Sequence, residues 1–176
     1  RPNTNNSSTG TFLRTNPGGS SFFNFGLFGG SLNSRGGAWT HRNGSLNLVA
    51  HDTQPAPGMS PTTQFDRIYG GGMGNNGHVT FMAAAYDSAN PTMPLSGIWS
   101  DRTGPLALVA GSLTPAPGEA AGVRFDGFQE PVSNALGQAA FEAGLAGPGI
   151  TGSNDWGIWI ETDNGLRPAI REGNPA

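Results

Sequence analysis

Apolar residues return along this chain at two scales, the shorter of which predicts strands. Over Gly137 to Leu145, Ala139, Phe141, Ala143 and Leu145 alternate with Gln138, Ala140, Glu142 and Gly144. A period of two predicts a strand with one face turned to a core. A loop of Gly, Pro, Ser, Asn and Asp follows, and then Gly157-Ile158-Trp159-Ile160-Glu161-Thr162, whose β-branched and aromatic residues predict a second strand. Asp163-Asn164-Gly165 predicts a tight hairpin, because Asn-Gly accepts positive φ; Asn43-Gly44 and Thr103-Gly104 stand in nearly the same place earlier. A third strand is clearest at Leu106 to Ala110. Beyond a Pro-Ala-Pro-Gly corner, Val123 to Phe128 predicts a fourth, shorter strand, matched by Phe65 to Ile68. No segment carries a helical stripe over ten residues without Gly or Pro, and Glu130 to Ala146 is interrupted by Pro131, Gly137 and Gly144.

The longer scale is a repeat. Trp39, Trp99 and Trp159 are separated by two equal steps of 60 (99−39 and 159−99), as are Leu46, Leu106 and Leu166, and Pro55, Pro115 and Pro175. Such a period marks a supersecondary unit that buries its apolar face by stacking on its neighbours. Cut after each closing corner, the units run 1–58, 59–118 and 119–176, together one repeat domain. The expected fold is all-β: three tandem units of about four antiparallel strands, read first as β-propeller-like blades. Rings of this kind hold four to eight blades, so a second chain or further repeats would complete one. A β-trefoil or β-prism is the alternative, being self-contained with three units, and a β-solenoid or stacked sandwich comes third. A unit of this length is long for a trefoil lobe and comfortable for a blade.

Composition narrows function more by exclusion than by assignment. The chain is 12% charged with 29 Gly and 14 Pro, and its apolar residues recur in register, so Gly and Pro read as turn punctuation. A net charge of −3, with nine Arg and no Lys, offers neither a nucleic-acid footprint nor a basic face for a membrane. There is no cysteine and no apolar run long enough to span a bilayer. The first residues carry no signal-peptide pattern, so an exported protein would be numbered here from its mature part. Low charge with abundant Asn, Ser, Thr and Gly suggests an extracellular or cell-surface setting.

Laying the units over one another exposes a motif. Asn134-Ala135-Leu136-Gly137-Gln138-Ala139-Ala140-Phe141 aligns with Asn16 to Phe23 and with Gly74 to Phe81. Gly-Ala-Trp or Gly-Ile-Trp follows in each, and then the Pro-Ala-Pro-Gly corner at 55–58 and 115–118, of which the third unit shows Pro175-Ala176. Over residues 16–176 this pattern resembles the choice-of-anchor tandem repeat family of bacterial secreted proteins, known for its NxxGxxAF motif. Gly74 departs from it at the Asn, and Phe22 and Thr80 at the Ala. The resemblance implies an exported or surface-held repeat protein with a propeller-like fold and no established enzymatic role.

His41, His51 and His78 do not recur between units and fit no zinc spacing, so no metal and no cofactor is expected. Gly70 to Gly74 lacks the Lys of a phosphate loop and reads as a flexible turn. Asp101 and Glu161 align with His41 two residues after the recurrent Trp and are the speculative ligand-binding carboxylates; Asp66 and Asp126 each follow a strand Phe. Trp39, Trp99 and Trp159, with Phe23, Phe81 and Phe141, are expected to pack neighbouring units. Trp156 has no counterpart and is the third speculative ligand-binding residue. The expected function is a non-catalytic extracellular structural or adhesive module. It associates with its own kind or with further repeats of the same chain. A carbohydrate-binding lectin-like propeller with glycans as partners is the alternative, and a six-bladed hydrolase-like enzyme is third.

Overall fold

Alternating segments separated by Gly-, Asn- and Pro-rich turns leave the chain little choice but to double back on itself, and it does so as three meanders. The structure is a computed structural model and describes residues 12–25 and 36–173; residues 1–11 and the closing Pro175-Ala176 lie outside them. Over the described residues it is all-β, in three open antiparallel sheets. The first holds β1 (Leu13–Thr15), β2 (Ser21–Phe25), β3 (Gly37–Arg42) and β4 (Ser45–His51), paired in chain order. In the second, β5 (Thr63–Met73), β6 (Val79–Asp87), β7 (Leu95–Ser100) and β8 (Ala107–Gly111) pair likewise. The third comprises β9 (Arg124–Phe128), β10 (Val132–Ser133), β11 (Ala139–Ala146), β12 (Trp156–Thr162) and β13 (Gly165–Arg171). There β9 and β10 share one edge of β11 end to end.

The recurrent aromatics face each other within each sheet. Phe23 pairs with Trp39, Phe81 with Trp99 and Phe141 with Trp159. On its other side each Trp pairs with position 48, 108 or 168, and a register break falls just before the Trp in all three sheets. Such a bulge adds local twist at one fixed place in every unit.

Because neighbouring residues in a strand point to opposite faces, the second sheet can bury both of its own. One core joins Phe22, Ala38 and Ala50 of the first sheet to Phe65, Phe81, Ala83 and Trp99 of the second. Another joins Ile98 and Ala110 of the second to Phe125, Phe128, Phe141 and Trp159 of the third. The sheets therefore stack in series, each seam mating a Phe/Trp face with the opposite face of the unit before it. The Asn-x-x-Gly turns also touch in series. Asn16 donates through Nδ2 to the Gly74 carbonyl at 3.0 Å, and the Asn75 amide donates to the Ala135 carbonyl at 3.0 Å.

Two expectations are corrected. Gly70 to Met73 is no flexible turn but the second half of β5. A β-carbon on Gly71 would stand 2.0 Å from the Thr80 carbonyl oxygen, and one on Gly72 2.6 Å from the Ser133 nitrogen. Bare backbone is what lets β6 and the third unit's β10 approach. The hairpin turns also differ between units: Asn43 and Gly44 both take positive φ (50° and 77°), as a primed turn requires, whereas at the third hairpin only Gly165 does.

Candidate functional site

The Pro-Ala-Pro-Gly corner hands the chain from one sheet to the next, and it lands on the next unit's Trp. The Trp99 indole Nε1–H donates to the Pro57 carbonyl at 2.9 Å, and Trp159 repeats this with Pro117 at 3.1 Å, each partner 42 residues earlier. Gly58 and Gly118 close the corners with φ of +82° and +85°. They lie against the side chains of Leu108 and Pro168, which occupy the same repeat position. Trp99 and Trp159 are wholly buried. Trp39 differs, since its indole nitrogen is buried without a hydrogen-bond partner.

The predicted carboxylates occupy equivalent seats. Asp101 accepts a hydrogen bond from the Val79 amide at 2.7 Å, and Glu161 accepts one from the Ala139 amide at 3.1 Å, so each tethers its strand to the neighbouring one. Asp101 also pairs with Arg42 of the first unit at 3.0 Å and lies 3.3 Å from His78 Nδ1. Arg102 reaches forward in the same manner to Asp163 of the third unit, at 2.6 Å. Among the described residues, no three or more His, Asp or Glu side chains are grouped to hold a metal ion.

Trp156 lies apart from both carboxylates. It opens β12 opposite Gly144, with its indole 3.9 Å from where a Gly144 β-carbon would stand, and is 39% exposed. An aromatic ring laid over a strand glycine covers backbone that has no side chain of its own.

Beside the corner that closes the first unit lies a cavity of about 420 Å³ that no sequence pattern signals. Met59, Met93, Leu95 and Leu108 supply apolar wall, and Asp87 and Thr63 polar lining. Thr63 is fully buried and its hydroxyl has no partner. Asp87 already accepts hydrogen bonds from the Thr62 hydroxyl and the Ala89 amide. In the third unit, Glu119 and Arg171 stand at the repeat positions of Met59 and Gly111 and form an ion pair. The cavity therefore depends on side chains particular to one unit, which periodicity does not report. A second cavity, of about 180 Å³, lies at the seam between the second and third units and is lined by Glu161, Arg102 and Leu166. Trp156 and Asp101 line neither.

Residues 3–175 match a family described as "Family of unknown function (DUF7453)", and the chain belongs to that family. No curated protein matches the sequence. Among solved structures, the chain is similar to a protein of unknown function from Dyadobacter fermentans DSM 18053. Identity is 14% and the TM-score 0.44, over 94% of this chain and 51% of that one, so the present chain spans about half of its length.

Proposed function

We propose that this member of a family without an assigned role is a non-catalytic structural or adhesive module working outside the cell. In this reading its sheets are propeller-like blades, and copies of the chain associate. The observation that carries it is the use made of the recurrent residues. Trp99 and Trp159 hold the corners that join units, Phe81 and Phe141 fill the seams, and Asp101 and Glu161 tether strands. The sealed Trp and Phe side chains are unavailable to a substrate or a stacked sugar. Composition and the resemblance to NxxGxxAF secreted repeats support the extracellular setting. Sedimentation over a concentration series tests the reading: the expected result is a weight-average mass rising above that of one chain. A mass that stays at one chain throughout contradicts association.

The half-exposed Trp156 favours glycan binding as a second reading, since sugars stack on open aromatic faces. A glycan array probed with the native chain and with Trp156→Ala decides it. Binding lost in the variant supports the lectin, and no binding by the native chain removes it.

A further inference from the structure

Among the described residues, the two outer faces of the stack are unmated halves of the seam that joins the units inside. Across the first sheet, Leu13, Phe23, Trp39 and Leu48 lie in one row. The same row of the second sheet, Gly71, Phe81, Trp99 and Leu108, is pressed against the first sheet, with Phe81 and Trp99 wholly buried. In the first sheet that row is open: Leu13 is 61% and Leu48 44% exposed. At the other end, Ile158 pairs with Ile170, which is 62% exposed, whereas their equivalents Ile98 and Ala110 are buried in the seam with the third sheet.

Trp39 shows what the first face lacks. Both corners among the described residues are already engaged, by Trp99 and Trp159, so neither can serve Trp39. A buried N–H without an acceptor is costly, and a corner carbonyl is what the two other copies of this position receive. The Trp39 indole is also turned over. Its Nε1 lies 3.2 Å from the ideal β-carbon of Gly37, where Trp99 and Trp159 present the far edge of the six-membered ring, Cη2 at 2.9 Å, to Gly97 and Gly157.

We propose that a second copy of this chain docks its third sheet's outer face onto the first sheet's outer face. The partner's third sheet would then cover Trp39 and Leu48, as the first sheet covers Trp99 and the second covers Trp159. This rests on the self-association reading and specifies it: the contact is head to tail, uses two different surfaces, and either closes a ring or grows a filament. It also moves the point of association from strand edges, the usual liability of open sheets, to sheet faces.

Two variants test it, Leu48→Asp and Ile170→Asp, both at exposed positions, with circular dichroism confirming that each folds. A head-to-tail contact predicts that each variant alone loses association by about 100-fold or more. Mixed together they form a one-to-one dimer that grows no further, because each retains the face the other lacks. Undiminished self-association by either variant, or a mixture that stays monomeric while the native chain associates, overturns this docking and leaves the broader reading standing. A native chain that never associates overturns both.

Discussion

Gly118 and Pro168 touch where the second corner meets the third sheet: a β-carbon on Gly118 would stand 2.5 Å from Pro168 Cγ, and Gly118 holds φ at +85°. Space and backbone both require glycine here. Gly118→Ala is expected to lower stability by about 2–4 kcal/mol, as overpacking and strained backbone combine. Gly44→Ala, where the β-carbon would meet nothing, isolates the backbone part. Urea unfolding of the two variants should rank Gly118→Ala clearly below Gly44→Ala.

The indole latches predict unequal consequences for the same substitution. Trp99→Phe removes a bonded N–H, strands the Pro57 carbonyl and leaves a cavity in a sealed seam, at a cost of about 2–4 kcal/mol. Trp39→Phe removes an N–H that has no partner, and in dilute protein it should cost under about 1 kcal/mol. Equal midpoints for the two variants would contradict the latch.

Asp101 and Asp163 both pair with an arginine of the preceding unit, yet only one is built into the seam. Asp101 also accepts the Val79 amide, whereas the Asp163 side chain is 86% exposed. Asp101→Ala should destabilise by about 1–3 kcal/mol and Asp163→Ala by under about 0.5 kcal/mol. Thermal unfolding at low and high salt checks the ranking.

Thr53 carries strain that the third unit avoids. It is an exposed β-branched residue at φ 69°, its second-unit equivalent Leu113 sits at φ 70°, and the third unit has Gly173 at φ 81°. Thr53→Gly therefore adopts what the third unit already uses, and should raise stability by about 0.5–1 kcal/mol. A lower unfolding temperature would show that the strain is not there to relieve.

Much of this architecture is legible in the sequence, because period and alternation are direct consequences of stacked sheets. The steps of 60 between Trp39, Trp99 and Trp159 correspond to one sheet each, and the alternation over Ala139 to Leu145 became β11. Gly70 to Gly72 misled because a glycine run signals flexibility locally, while here it answers to close approach by Thr80 and Ser133 from elsewhere in the chain. The corner's role was hidden for the same reason: Pro57 and Trp99 are 42 residues apart, and only the fold brings carbonyl to indole. The cavity at Met59 and Thr63 was not legible, since it arises from what one unit omits relative to another.

The central claim is that the recurrent tryptophans fasten like-built sheets to one another. Hydrogen exchange of the four indole N–H groups in dilute protein tests it most directly. The account predicts that Trp99 and Trp159 exchange about a thousandfold or more slowly than Trp156, opening only with global unfolding, while Trp39 exchanges faster than either. Exchange of Trp99 or Trp159 at the rate of the half-exposed Trp156 would contradict it.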